Sequence, residues 1–125
     1  MTYPEFFING KLNEALINDT GNNNVAVIAK NLKDNSRLNI NQLRKFYDSF
    51  VRIFNSSVNV DTKKVRLLML KANVEYSAGR LKIIEFANFF KNRINTVISQ
   101  NEEFDKYMNA LKLHLEALVA YFPKR

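Results

Sequence analysis

The sequence contains no cysteine and no tryptophan, and it has only one histidine, three glycines and two prolines among 125 residues. Without cysteine, neither a disulfide framework nor a thiolate zinc site is available. No P-loop, dinucleotide-binding fingerprint or HExxH motif is present. Because an active site needs several cooperating groups, we expect a protein that is not an enzyme, with no catalytic residues, no metal site and no cofactor.

Long hydrophobic runs are also lacking. No apolar stretch approaches the length of a membrane span, and the first residues, MTYPEFFINGKL, contain no basic stretch followed by an apolar one. We therefore expect a cytoplasmic protein without a membrane partner. A length of 125 residues suits one domain, so residues 1–125 are expected to form a single helical domain.

Helical periodicity is the main feature that the sequence does contain, and it is clearest in residues 41–54, NQLRKFYDSFVRIF. Apolar side chains recur there at the spacing of one helix face, while the basic side chains fall on the other side. Asn39 followed by Gln42 is typical of a capping box at a first helical turn. The pattern predicts a helix over residues 40–55.

Other segments also place apolar residues at helical spacing. They are a stripe after Pro4 through residues 8–16, and residues 25–32, 62–78, 81–98 and 99–122. No β-hairpin signal is evident in this interpretation. The predicted fold class is therefore all-α, a compact bundle of about five to six helices.

Three helix ends carry a chemical signal. Asp61 or Thr62 is expected to cap the helix over residues 62–78, and Gly79 is expected to end it in a left-handed conformation. Ser99 with Glu102 three residues later fits a capping box, which predicts that the last helix begins near Ser99.

Two of the predicted helices have more apolar surface than one face requires. In residues 62–78 one apolar stripe lies beside a second, which predicts a helix packed on two sides; the stripes are Val65, Leu68, Met69, Ala72 and Tyr76, and Leu67, Leu70 and Val74. The last helix has a second apolar seam through Tyr107, Ala110, His114, Ala117 and Tyr121, which predicts a buried helix or a subunit contact. His114 is therefore expected in a core or an interface rather than as a catalytic base.

Positive charge is concentrated in the middle of the chain, whose net charge is +7. Residues 35–93 contain 12 Lys/Arg and 4 Asp/Glu, whereas residues 1–34 contain 3 and 4, and residues 94–125 contain 4 and 4. Solvated helix faces usually mix both signs, so an unmatched excess favours a site for a polyanion.

The candidate RNA-binding residues come from this middle segment. Guanidinium groups can hold phosphate through two parallel hydrogen bonds, and lysine adds a less directional charge. The candidates are Arg37, Arg44, Lys45, Arg52, Lys63, Lys64, Arg66, Lys71, Arg80 and Lys82. Most phenylalanines sit at core spacing, which leaves Tyr47 and Tyr76 for stacking on bases. No RRM, zinc-finger or KH motif is visible, so a base-reading code has no support.

Three blocks of the sequence are distinctive: QLRKFYDSFVRI at residues 42–53, LLMLKANVEYSAGR at residues 67–80 and LEALVAYF at residues 115–122. In this order and at this separation, they resemble the small subunit of type III-A CRISPR-Cas effector (Csm) complexes. The resemblance covers residues 38–122, and the chain departs from the pattern after Tyr121, where Phe-Pro-Lys-Arg follows.

The resemblance implies a small all-helical, non-catalytic protein, present in more than one copy, that lines the inner side of a ribonucleoprotein filament. Its implied partners are single-stranded RNA, as guide or target, the other subunits of the effector and further copies of itself. Carried over by position, the first block would place Arg44, Lys45 and Arg52 toward RNA, and the second would place Lys71 and Arg80 there. The other five candidates come from the charge distribution alone.

An alternative function remains open. The protein could be a structural helical adaptor that bridges protein subunits without direct RNA contact. The seams of the last helix would then hold neighbouring proteins, and the basic face would serve solubility or acidic partner surfaces. Only an RNA-binding protein should show an RNA affinity that falls steeply with salt.

Overall fold

Helices make up most of residues 2–123, the part of the chain that the computed structural model describes. The elements, in order, are β1 (Phe7–Ile8), β2 (Lys11–Leu12), a 3-10 helix (Glu14–Leu16), α1 (Val25–Asp34), α2 (Ile40–Asn55), α3 (Val60–Leu81), α4 (Ile84–Ile98) and α5 (Phe104–Tyr121). The predicted all-α class and helical bundle are confirmed. Lys124 and Arg125 lie outside the described residues. They belong to the tail after Tyr121, where the chain departs from the pattern of the three sequence blocks.

The predicted capping box at the start of α2 is present. The side-chain oxygen of Asn39 accepts a hydrogen bond from the Gln42 backbone N–H at 2.9 Å, and the Gln42 side-chain oxygen accepts one from the Asn39 N–H at 3.0 Å. Two N–H groups that the first turn would leave unpaired are thereby satisfied. Leu43, Phe46 and Phe50 are buried on one face, as the periodicity predicts.

Both predicted ends of α3 are wrong. The helix begins earlier, because the side chain of Asn59 caps it by accepting a hydrogen bond from the Thr62 N–H at 2.8 Å. It also continues through Gly79, and the left-handed residue is Lys82, with φ of 60°. The carbonyl of Lys82 accepts a hydrogen bond from the Arg37 N–H at 3.0 Å, and the fully buried Ile83 follows it, so tertiary contacts fix the end of the helix.

The predicted start of α5 at Ser99 is also wrong. Ser99 is the last residue of the turn that ends α4, and its hydroxyl donates to the Thr96 carbonyl at 2.7 Å. The hydroxyl therefore serves the preceding helix. A short turn follows, and α5 begins at Phe104 without a side-chain cap.

The N-terminal segment forms a hairpin where the sequence interpretation expected a helix after Pro4 and no hairpin. Strands β1 and β2 pair antiparallel, with Phe7 opposite Leu12. Asn9 and Gly10 connect them, and both have positive φ, 53° and 78°. Two successive left-handed residues are typical of the tight hairpin turn that favours Asn-Gly. The Asn9-Gly10 dipeptide was the sequence signal for this hairpin. The apolar stripe through residues 8–16, which contains the dipeptide, wrongly indicated a helix.

The helices pack around one hydrophobic cluster. Helix α5 lies against α1, α2 and α4, while α3 lies against α2 and α4. Phe104, Leu111 and Leu115 are buried on the first seam of α5, and Ala110 and His114 are buried on the second, whose end at Tyr121 is exposed. Most of both seams is therefore packed within the chain, as expected for a buried helix.

The prediction that α3 packs on two sides is wrong. Leu67, Leu70 and Val74 are buried, but the neighbouring stripe is exposed. Its members are Val65, Leu68, Met69, Ala72 and Tyr76, and we call them the α3 stripe. Helices α2 and α4 pack on α3, but the α3 stripe stays exposed among residues 2–123.

Candidate nucleic-acid interface

A groove runs between α2 and α3 and brings together four of the predicted RNA-binding residues. It consists of two adjoining clefts of about 420 and 240 Å³, which share Ser49, Leu70 and Asn73. Arg52 and Arg66 line the larger cleft. The smaller one is lined by Lys45 and Arg80. We call the combined depression the α2–α3 groove and these four side chains the groove cations.

Helical spacing explains why these side chains share the groove. On α2, Lys45 and Arg52 are seven residues apart, which is close to two full turns. On α3, Arg66 and Arg80 are separated by two such intervals, with Asn73 at the midpoint. Each helix therefore presents one basic row, and the packing of α2 on α3 sets the two rows opposite each other.

The groove cations have no carboxylate partners among the described residues. The ion pairs of residues 2–123 are Lys30–Asp34, Lys91–Glu75, Lys106–Glu103 and Lys112–Glu116. Within the groove, Arg52 donates a hydrogen bond from Nη2 to the Ser49 hydroxyl at 3.2 Å. Four uncompensated positive charges along one depression create a local field that attracts an anionic ligand.

Two predicted cations lie on the other side of α3, toward α4. Lys71 Nζ donates to the Asn95 side-chain oxygen at 2.8 Å, and Lys64 Nζ donates to that of Asn101 at 3.0 Å. Lys71 lines a cleft of about 450 Å³ together with Lys91 and Glu75, which pair with each other. The Glu75 carboxylate thus shares the cleft with Lys71, whereas no carboxylate among the described residues lines the α2–α3 groove.

The remaining four predicted cations are dispersed. Lys63 Nζ donates to the Phe54 carbonyl at 3.1 Å and so bridges the connection between α2 and α3. Arg37 and Lys82 are exposed and joined through their backbones, where the loops before α2 and after α3 meet. Arg44 is exposed on α2 but does not line the groove. The ten candidates therefore do not form one continuous row.

Of the two tyrosines predicted for base stacking, Tyr76 is available. Its side chain is 74% exposed, and the guanidinium carbon of Arg80 lies 5.5 Å from its ring centroid. Tyr47 is half-buried, and its hydroxyl donates to a Glu116 carboxylate oxygen at 3.1 Å. Burial, followed by the contact with Glu116, raises the pKa of the Tyr47 hydroxyl. The prediction that most phenylalanines belong to the core is confirmed.

Polar residues of the groove were missed by the sequence interpretation. Asn73 and Ser77 line it beside Tyr76, and neither side chain forms a hydrogen bond within residues 2–123. The seven-residue spacing of Arg66, Asn73 and Arg80 was the signal that would have identified Asn73 as part of the basic row.

His114 is fully buried in the core, which is one of the two places, core or interface, predicted for it. Its Nδ1 lies 2.8 Å from the Leu16 carbonyl, which can only accept a hydrogen bond, so Nδ1 carries the proton. Nε2 is buried without a partner among the described atoms. Burial lowers the pKa of His114 to about 4, an effect that nearby Arg93 strengthens and the Leu16 hydrogen bond opposes.

Residues 2–123 contain neither a candidate metal site nor a candidate membrane span. No group of three or more His, Asp or Glu side chains is arranged to hold a metal ion in this part of the chain. None of its helices combines the length and the apolar character that crossing a bilayer requires.

Comparison with known proteins identifies one family. The family model described as Csm2 Type III-A matches residues 18–124, which include α1 to α5 and the whole of the α2–α3 groove. The N-terminal hairpin precedes the matched region. No curated protein and no solved structure matches the chain.

Proposed function

Because the chain belongs to the Csm2 Type III-A family, as a small subunit of a type III-A CRISPR-Cas (Csm) complex, we propose that it binds RNA through the α2–α3 groove. The observation that carries this proposal is the set of groove cations, Lys45, Arg52, Arg66 and Arg80, which face one depression without carboxylate partners among residues 2–123. The subunit would be non-catalytic, and the chemistry would belong to other members of the complex.

The groove suits the backbone of a nucleic-acid strand. Arg66 and Arg80 are fourteen residues apart on α3, so their basic row extends about 21 Å along the helix. Three of the groove cations are arginines, whose planar guanidinium groups can each hold a phosphate through two hydrogen bonds. Such contacts position a strand but do not read its sequence. We therefore propose that the groove binds guide or target RNA in its single-stranded form, without strong sequence preference.

The test is the salt dependence of RNA affinity. The purified protein is titrated into labelled single-stranded RNA at several salt concentrations, and fluorescence anisotropy gives the affinity. Each phosphate contact should contribute about 0.7 to the slope of log affinity against log salt. Charge reversal by Arg52→Glu with Arg66→Glu should weaken binding strongly and flatten the slope.

A matched control separates the groove from net charge. Lys11→Glu with Lys30→Glu changes the charge by the same amount at exposed positions outside the groove. Equal losses of affinity in the two double variants, or a wild-type affinity that does not respond to salt, would rule out the groove as the RNA site.

A second candidate function is favoured by the α3 stripe. Val65 is 58% exposed, Leu68 46% and Met69 61%, and such a contiguous apolar stripe marks an interaction surface. We propose that a neighbouring protein subunit of the effector complex covers the Val65 and Leu68 part of the stripe, which does not line the α2–α3 groove, so that the protein acts as a structural adaptor. Val65→Gln with Leu68→Gln should then reduce co-purification with the other subunits, and RNA affinity should stay at the wild-type value.

A further inference from the structure

We infer that the smaller cleft of the α2–α3 groove holds one unpaired nucleobase of the bound RNA, stacked on the ring of Tyr76. This inference rests on the proposed RNA binding and adds to its phosphate contacts a contact with one base. The cleft brings together an exposed aromatic ring, two cations and two side chains with free polar groups, which are Tyr76, Lys45, Arg80, Asn73 and Ser77.

The exposure of Tyr76 is the first observation. A tyrosine that is 74% exposed contributes little to the core, and Tyr76 lies two residues after the fully buried Val74, on the other side of the helix. The guanidinium carbon of Arg80 lies 5.5 Å from its ring centroid, a distance at which a cation is attracted to an aromatic face. Arg80 therefore contacts the ring, and both residues line the cleft. A flat, positioned aromatic face is the group on which single-strand-binding proteins stack bases.

The size of the cleft is the second observation. Its volume of about 240 Å³ lies below the range of roughly 300–1,000 Å³ that is typical of pockets for drug-sized ligands. One base fits such a space better than a base pair does. The neighbouring cleft, lined by Arg52 and Arg66, continues the groove and would accept the adjoining backbone.

The free polar groups are the third observation. The Asn73 amide offers donors and an acceptor, and the Ser77 hydroxyl offers both functions. Neither forms a hydrogen bond within residues 2–123, and both line the cleft next to Tyr76. They can therefore bond to the edge of a base. In a duplex that edge is already occupied by the paired base, so these groups favour an unpaired nucleotide.

The charges of the cleft complete the site. Lys45 on α2 and Arg80 on α3 lie on opposite walls, and neither belongs to an ion pair among the described residues. A nucleotide whose base stacks on Tyr76 would place its flanking phosphates within reach of these walls. The cleft thus offers stacking, edge contacts and phosphate contacts to one nucleotide.

The experiment compares two single-stranded ligands of equal length and charge. One is an oligouridylate, and the other is the same ribose-phosphate chain without bases. The full-length wild-type protein should bind the oligouridylate more tightly. Tyr76→Ala should weaken binding of the oligouridylate roughly fivefold to a hundredfold, as expected for the loss of one stacked base, and should leave binding of the abasic chain unchanged. Tyr76→Phe keeps the ring and should retain wild-type affinity.

Tyr121→Ala is the matched control, since Tyr121 is 40% exposed and does not line the groove. The salt slope of Tyr76→Ala should equal that of the wild type, because no phosphate contact is removed. Circular dichroism melting checks that each variant is folded.

Several outcomes overturn the inference, and they differ from failure of the proposed function. If Tyr76→Ala weakens both ligands equally, or neither, no base occupies the cleft, although a wild-type salt slope would still support RNA binding. If Tyr76→Ala leaves both affinities unchanged but prevents co-purification with the other subunits, Tyr76 is a protein contact. If the wild type binds neither ligand in a salt-dependent manner, the proposed function itself fails.

Discussion

Arg93 Nη1 donates a hydrogen bond to the carbonyl oxygen of Pro4 across 2.7 Å, although the two residues are 89 positions apart in the chain. Arg93 is only 5% exposed, and its guanidinium carbon lies 4.7 Å from the ring centroid of Phe6. Burial lowers the pKa of Arg93 to about 10, so the group stays charged at neutral pH. A buried cation thus attaches the N-terminal segment to α4 through a carbonyl and an aromatic face.

Replacing this cation should destabilise the fold. Arg93→Ala leaves the buried Pro4 carbonyl without its donor and removes the contact with Phe6. We expect a loss of about 2–4 kcal/mol in the free energy of unfolding, measured by urea denaturation. Arg44→Ala, at an exposed arginine of α2, should stay within about 0.5 kcal/mol of the wild type. Similar small effects in both variants would contradict this role of Arg93.

His114 predicts a specific dependence of stability on pH. Its folded-state pKa of about 4 lies below the value of about 6.5 expected in the unfolded chain. As the pH falls, the unfolded state binds the proton first, so stability decreases from pH 6.5 toward pH 4 and this contribution then levels off. The expected loss at pH 4 is about 3 kcal/mol.

The measurement is a series of urea denaturations between pH 4 and pH 7. Carboxylates titrate near the lower end of this range, so the wild type is compared with His114→Asn at each pH. Asparagine can still donate toward the Leu16 carbonyl but carries no titratable group. The variant is expected to be less stable than the wild type at pH 7. The difference between their free energies of unfolding should narrow as the pH falls. A constant gap would show that His114 does not cause the pH dependence.

The sequence allowed the helices to be located, but not all their ends. Periodicity places α2 correctly because one strong stripe, with the Asn39–Gln42 capping box, decides it locally. The end of α3 is decided at long range, since Lys82 takes a left-handed conformation while its carbonyl bonds to Arg37. Glycine at position 79 could not reveal that, because a helix tolerates glycine when its neighbours are packed.

The candidate site also combines features that the local sequence determines with features that the tertiary structure determines. Composition located the positive segment, and spacing along one helix relates Arg66 to Arg80. The packing of α2 on α3 decides which basic rows face each other, and no local sequence pattern predicts that packing. The separation of Lys71 from the groove, with its Nζ held by Asn95, is therefore a property of the tertiary structure.

Two glycines give opposite expectations for alanine. Gly10 has φ of 78° in the hairpin turn, and an added Cβ would have no atom within 4 Å, so the cost of Gly10→Ala is purely conformational. It should destabilise the protein by about 1–2 kcal/mol. Gly79 lies inside α3, also with nothing within 4 Å of an added Cβ, and Gly79→Ala should stabilise by about 0.5–1 kcal/mol. Thermal unfolding of the two variants tests the expected direction of each change in stability, and a stabilising Gly10→Ala would contradict the turn geometry.

The groove cations and the cations toward α4 should differ in their effects on RNA affinity. Arg66→Gln removes a charge that lines the α2–α3 groove, so it should lower the salt slope by about 0.7 and weaken binding at low salt. Lys71→Gln removes the same charge from the same helix, but Lys71 lies on the other side, where Glu75 shares its cleft and Asn95 holds its Nζ. Its slope should therefore remain close to that of the wild type. Anisotropy titrations of both variants over one salt series make the comparison, and a larger slope change for Lys71→Gln would move the RNA site to the cleft between α3 and α4.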